Sequence, residues 1–291
     1  ANRAISYVDP MMKYKDAAEG IGFYEFIKKL DKNFDSNAEL LVKQLVRAQM
    51  CIFRKENLTL SLTGEFNFKS LLEGEMLQFN RMLYEMPCVK AVPMFNMEKK
   101  NEGFKTASKV QYVASGGCFE KEGQEYTGAL KVLKTIFSYD YLWVNVRVTG
   151  GAYGCMCSFS RNGYGFFTSY RDPNLSATLD VYKKAAEYVR NFEAGQRDMT
   201  KYIIGTISGI DQPLEPAALG DRSFHAYQSG VTVEMIQKER NQVLDATEET
   251  IRSLAGYIET MMDAGTVCAI GNDRKLEEEK ELFKQVSSLT Q

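Results

Sequence analysis

The segment from Tyr141 to Asn174, YLWVNVRVTGGAYGCMCSFSRNGYGFFTSYRDPN, constrains this chain more than any other stretch. It holds an arginine, a tyrosine and three glycines in RVTGGAYG, then a hairpin, then an Asp-Pro step. Asn162 and Gly163 form a two-residue type I′ turn signature, because both central positions of that turn need positive φ. Counting outward pairs Arg161 with Tyr164, Phe159 with Phe166, Cys157 with Thr168 and Cys155 with Tyr170. One hairpin face should then gather Cys155, Cys157, Phe159, Phe166 and Tyr170 against a core. On that count the two cysteines are packing residues, not a metal pair. Asp172 is expected to cap a helix with Pro173 in its first turn and a buried stripe of Leu179, Tyr182, Ala186 and Val189.

Residues 141–148 admit two descriptions. Leu142, Val144, Val146 and Val148 alternate with Trp143, Asn145 and Arg147, which suits a strand. Leu142 and Val146 are also four apart, which suits a short helix. The glycines that follow are not a phosphate loop, since RVTGGAYG lacks both a GK[ST] ending and G-x-G-x-x-G spacing. Gly150, Gly151 and Gly154 beside Arg147 and Tyr153 fit a backbone that an added peptide strand approaches closely. Arg147 and Tyr153 would bring donors to the peptide's carbonyls, or to the oxyanion formed when one is attacked. The plainer alternative is equally open: the glycines shape a sharp turn and Arg147 sits in a structural salt bridge.

The rest of the chain reads as α+β. A capping box, Ser36 with Glu39, precedes a helix with Leu40, Leu41, Leu45 and Ala48 on its apolar side. Asn57–Thr63 alternates as a strand through Leu58, Leu60 and Leu62, and an amphipathic helix spans about 68–85. The polar run Asn96–Gly103 marks a domain boundary. Beyond it come a strand at Lys109–Ala114, a turn at Gly116 and Gly117, and a helix over Thr127–Ser138. A short helix near Thr200–Ile207, a loop at Gly209–Pro216 and a long helical stretch after Thr232 follow. A second capping box, Asp245 with Glu248, opens the next helix. A last helix, Lys275–Leu289, carries a charged, solvated face.

Thirty-six basic against 38 acidic residues, net −2, make no electrostatic case for nucleic acid or an anionic membrane. No apolar run approaches the ~20 residues of a membrane span. A single histidine, His225, excludes a two-histidine zinc site built from this polypeptide alone, and it reads as an ordinary polar residue. No G-x-S-x-G elbow supports serine catalysis. Cys51, Cys88, Cys118, Cys155, Cys157 and Cys268 form no CxxC pair, so they read as small hydrophobes in a reducing interior. The sequence opens without a methionine or a secretory pattern and is expected to be a piece of a longer polypeptide.

RVTGGAYG followed by SYRDPN resembles the C-terminal half of a pitrilysin/insulinase-type zinc metallopeptidase, and within that class the presequence protease branch. GTISGIDQPLEP (Gly205–Pro216), KERNQVLDAT (Lys238–Thr247) and YEFIKKLDKNFD (Tyr24–Asp35) extend the resemblance over most of the chain. It implies two related α/β domains, each an antiparallel-rich sheet packed with helices: residues 1–96 as the later part of a third domain and 97–291 as the fourth. It also implies that 141–148 is a short helix ending near Arg147. Zinc would be held by an inverted His-x-x-Glu-His motif in an N-terminal half of the same polypeptide, with no metal ligand here. Arg147 and Tyr153 would be this half's catalytic contribution, and Gly150, Gly151, Ala152 and Gly154 its substrate-binding backbone. Unfolded peptides would be the substrate, with neither nucleic acid nor membrane as partner. The compartment would be the cytoplasm, or alternatively the mitochondrial matrix or another organelle. A catalytically silent relative that presents peptide to an active partner is the competing expectation.

Overall fold

The computed structural model describes residues 1–65, 68–85, 94–121 and 124–289. Contacts group them into two units. The larger comprises Ala1–Phe23, Phe95–Gln212 and Glu234–Gln291, and the smaller Tyr24–Met94 and Pro213–Val233. The sequence boundary expected at 96 lies beside the Met94/Phe95 crossing, whereas Ala1–Phe23 groups with the larger unit.

The larger unit is built on a six-stranded sheet of order β3-β4-β2-β5-β1-β6. Its strands are β1 (Asn101–Thr106), β2 (Gln111–Cys118), β3 (Gly154–Phe159), β4 (Tyr164–Asp172), β5 (Thr266–Asn272) and β6 (Gln285–Ser288). The pairs β3-β4, β4-β2 and β2-β5 are antiparallel, and β5-β1 and β1-β6 are parallel. This is an α+β fold with an antiparallel-rich sheet. Helices Ala129–Ile136, Ser176–Arg190 and Ala255–Asp263 contribute Leu130, Leu133, Tyr182 and Ile258 to the main core, where they meet Phe137 and Phe167. A second cluster joins Ala4, from the short helix Asn2–Ile5, to Phe104, Ala114 and Cys268 of the sheet.

Three strands lay hidden in the sequence, each for a physical reason. β1, NEGFKT, looks like polar linker, yet Glu102 is buried because Arg3 Nε donates to it at 2.9 Å and the Tyr7 hydroxyl donates as well. A paired, hydrogen-bonded carboxylate can occupy a central strand that a bare one could not. β5 follows the helix Ala255–Asp263 after Gly265, whose φ of +57 suits glycine. The expected helix Lys275–Leu289 stops at Glu278, and the chain turns through Phe283 to pair as β6 beside β1. Gly116 and Gly117, expected as a turn, lie inside β2. A Cβ on Gly117 would sit 2.1 Å from Ala264 Cβ and 2.6 Å from the Met261 carbonyl, so glycine lets the helix lie close to the strand.

The hairpin register differs from the count by one. Asn162 does not have positive φ; Gly163 does, at +81. Gly163 N donates to Ser160 O at 3.1 Å and Ser160 N to Tyr164 O at 2.9 Å, the bonding of a three-residue loop with a type I turn followed by a left-handed glycine. Cys157 therefore faces Phe167, Cys155 faces Ser169 and Phe159 faces Gly165. A slip of one residue exchanges the two faces of a strand. Cys155, Cys157 and Phe159 keep their place on the core side, Phe167 replaces Phe166 there, and Phe166 and Tyr170 move to the opposite face.

Other helix limits also shift. The helix Phe34–Ile52 begins before Ser36, whose hydroxyl donates to Asn33 O at 2.9 Å from inside the first turn, so no capping box forms. The stretch 58–63 is not a strand; its alternating leucines are exposed and no ladder partner is present among the described residues. The helix expected over 68–85 is two, Phe68–Glu73 and Glu75–Met82, broken at Gly74. Leu179, Tyr182, Ala186 and Val189 are buried as expected, but their helix starts at Ser176, with Pro173 outside it. Asp172 still serves that turn, accepting from Asn174 N at 2.9 Å and from the Thr178 hydroxyl at 2.7 Å. The helix near 200–207 runs Gln196–Ile210, and an unanticipated helix, Pro216–Gln228, starts on the proline that closes the expected loop. Thr247, not Asp245, caps the helix Glu248–Ser253, accepting from Thr250 N at 3.1 Å.

Candidate functional site

The strand-or-helix ambiguity at 141–148 resolves as helix. Ala129–Ile136 continues into π-wound turns at Phe137–Tyr141 and Trp143–Thr149. Leu142 and Val146 are buried while Trp143, Val144 and Val148 are exposed, the helical pairing at four residues. The wider winding is a local departure of the kind that recurs at functional sites. It ends on the glycines. Gly151 N donates to Arg147 O at 2.9 Å, the bond of an αL cap with Gly151 at φ +79 as its left-handed residue, and Ala152 N donates to Val146 O at 3.1 Å. A Cβ on Gly150 would lie 2.5 Å from Val146 O. Gly150 and Gly151 are therefore required by the helix end itself, and Ala152 is buried in the same core as Val146. Gly154 differs: its nearest neighbour would be Tyr170 Cβ at 4.0 Å, so its surface is open.

The two motifs of the segment are bonded to each other. Asn174 Nδ2 donates to Gly150 O at 2.6 Å, and Tyr153 N donates to Arg171 O at 3.3 Å. These bonds place Tyr153 at the start of β3, an edge strand of the sheet. Tyr153 is 65% exposed, and the Arg147 guanidinium carbon lies 5.9 Å from its ring centroid and 4.1 Å from that of Trp143. Arg147 makes no ion pair among the described residues, so the salt-bridge alternative does not hold. The geometry brings Arg147 and Tyr153 together at an open sheet edge, with Gly154 beside them.

Arg171 belongs to the same surface; the sequence marked it as part of SYRDPN and gave it no role. Its guanidinium carbon lies 5.9 Å from the Tyr153 ring and 5.5 Å from the Tyr170 ring. Tyr170 in turn meets Tyr112 edge-on at 5.3 Å. The shifted hairpin register exposes this face: Phe166, Thr168 and Tyr170 line a cavity of 420 Å³ together with Met156 and Tyr112.

Cys155 and Cys157 are poor nucleophiles. Burial pushes the Cys155 thiol up to about 11, although Arg147 works against it, and pushes Cys157 up to about 12. Cys88 lies outside the described residues. His225 is exposed on the helix Pro216–Gln228. Among the described residues no three His, Cys, Asp or Glu side chains are grouped to hold a metal ion, and no helix is long and apolar enough to cross a membrane.

A family model described as the PreP C-terminal domain matches residues 101–273, which include β1 to β5 and the whole Arg147–Tyr153 surface. The chain belongs to that family. Protein HypA of Clostridium perfringens is 37% identical over 291 residues, covering 99% of this chain and 29% of that protein. Presequence protease 1, chloroplastic/mitochondrial, of Arabidopsis thaliana is 30% identical over 255 residues, 87% of this chain and 24% of that protein. The chain thus spans less than a third of the length of these relatives. The fold is shared with the peptidase M16 inactive domain from Pseudomonas fluorescens, at TM-score 0.50 and 14% identity over 74% of this chain and 50% of that one. The family resemblance carried by RVTGGAYG and SYRDPN is therefore correct: the chain carries the C-terminal domain of a peptidase family.

Proposed function

We propose that this PreP C-terminal domain is the substrate-binding half of a zinc-dependent endopeptidase that degrades short unfolded peptides. The observation that carries the proposal is the pairing of Arg147 with Tyr153: two donors held side by side at the start of an edge strand, the guanidinium half-buried and the phenol exposed. An edge strand offers unpaired main-chain groups to an extended peptide. Gly154, open on its surface, permits the peptide backbone to come close, while Gly150 and Gly151 hold the turn that aims Arg147. The guanidinium and phenol then orient the peptide and hydrogen-bond the oxygen that gains negative charge when its carbonyl is attacked. The Ala152 side chain packs in the core, and its part in binding is taken by its backbone.

Among the described residues no group of side chains fits zinc, and the metal belongs to the N-terminal half of the same polypeptide. On this proposal residues 1–96 belong to the third domain of the whole protein and 97–291 to the fourth. The compartment is the cytoplasm or an organelle matrix. In the longer protein, Arg147→Ala and Tyr153→Phe should each lower turnover of an unstructured peptide by ~10²-fold. Bound zinc, measured by mass spectrometry, should be unchanged. Wild-type kinetics in both variants would refute the assignment. The chain by itself should neither hold zinc stoichiometrically nor cleave peptide. A silent, peptide-presenting role remains the competing function, and peptide cleavage by the longer protein rules it out.

A further inference from the structure

The candidate site continues past Tyr153 as a row of alternating rings and guanidinium groups. Trp143 stacks with Arg147 at 4.1 Å, Arg147 with Tyr153 at 5.9 Å, Tyr153 with Arg171 at 5.9 Å and Arg171 with Tyr170 at 5.5 Å. The rings are open to solvent, Trp143 and Tyr170 at 40% and Tyr153 at 65%. Stacking on an aromatic face fixes a guanidinium while leaving its edge N–H groups free to donate outward.

Among the described residues the row carries positive charge without a negative partner. Arg3, Arg161, Arg190, Arg240, Arg252 and Arg274 all sit in ion pairs. Arg147 and Arg171 do not, among the described residues. The neighbouring Tyr112 phenol holds the Arg171 guanidinium above its ordinary value. The acid next to it, Asp172, is fully buried with its oxygens taken by Asn174 N and the Thr178 hydroxyl. Arg171 is also the one non-glycine at positive φ among the described residues, at +48. Arginine adopts that conformation only where its surroundings hold it, and such outliers gather at ligand sites. Here the Tyr153 N–H bond to Arg171 O holds it.

We propose that Arg171 is a specificity-determining residue that binds a carboxylate of the peptide. This rests on the substrate-binding role of Arg147 and Tyr153 above. A planar guanidinium fork matches a carboxylate in two parallel hydrogen bonds, and two cations without an anion favour a ligand that brings one. Both guanidinium groups lie 5.9 Å from the same ring. The carboxylate is therefore within about four residues of the bond held at Arg147, at ~3.3 Å per extended residue. Its source is an acidic side chain or the peptide's C-terminus.

The test is fluorescence anisotropy with the 291-residue chain and three labelled eight-residue peptides. The first has a glutamate near an amidated end, the second a glutamine there, and the third the glutamine with a free C-terminal carboxylate. The expected result is ~10-fold tighter binding of the first or third over the second. Whichever of them gains identifies the source of the carboxylate. Arg171→Gln should abolish the preference, Arg171→Lys should retain part of it, and both should keep the wild-type melting temperature. Arg147→Ala should weaken all three peptides and leave the ratio in place. Equal binding of the three peptides by the wild type, or a ratio that survives Arg171→Gln, overturns the carboxylate role alone. Binding of none of them at millimolar peptide overturns the substrate-binding role as well.

Discussion

The hairpin register decides which of two adjacent phenylalanines supports the fold, and the difference can be measured. Phe167 is fully buried, edge-on to Phe137 at 5.3 Å and beside Tyr182 at 5.4 Å. Truncating such a side chain removes its transfer free energy and leaves a cavity, about 3–5 kcal/mol in total. Phe166 is half-exposed on the opposite face, where the loss should be about 1 kcal/mol. Trp143, the only tryptophan, lies in the larger unit and reports its unfolding by fluorescence. With an m-value of about 2.5 kcal/mol/M, Phe167→Ala should lower the urea midpoint by roughly 1.5 M and Phe166→Ala by less than ~0.5 M. Equal shifts, or a larger one for Phe166→Ala, would show that the type I′ count was right and the register described here wrong.

Gly151→Ala forces a side chain into the left-handed region and should cost about 1–2 kcal/mol in the same urea titration. Gly154→Ala, with open space around it, should leave the midpoint within ~0.5 kcal/mol but weaken peptide binding. Gly117→Ala would drive a methyl into Ala264 and the Met261 carbonyl, and should abolish cooperative unfolding or soluble expression. Burial raises Cys157 from its ordinary 9.0 to about 12, so the folded state keeps a proton that the unfolded state loses. That stabilisation is complete below pH 9 and disappears as pH rises toward 12. The alkaline fall in stability should therefore be shallower in Cys157→Ala, and an unchanged slope would refute the contribution.

Much of the site was legible in one dimension because its parts are local. The Arg147–Tyr153 spacing, the glycines between them and the buried pair Leu142 and Val146 all lie within one helix and its cap, where contacts run over four to six residues. Sequence periodicity could not choose between strand and helix there, since alternating β-branched residues satisfy both patterns. Family resemblance, and then the structure, chose the helix. The buried stripe of Leu179, Tyr182, Ala186 and Val189 was equally local and equally readable.

What the sequence could not reveal is whatever depends on a distant partner. β1 is buried only because Arg3 and Tyr7, roughly a hundred residues earlier, pair with Glu102, the first as an ion pair and the second as a hydrogen-bond donor. Gly116 and Gly117 look like a turn until β4 is laid beside the first and the helix ending at Asp263 against the second. The hairpin slipped by one residue because Asn162 did not take the positive φ that its motif advertises, and one residue is enough to exchange core for surface. Arg171 joined the site by the same kind of event, through rings brought together by pairing across the sheet. By itself the sequence determined the short-range elements and their chemistry. Only the tertiary structure decided which faces, charges and strands meet, because those choices are set by contacts between residues far apart in the chain.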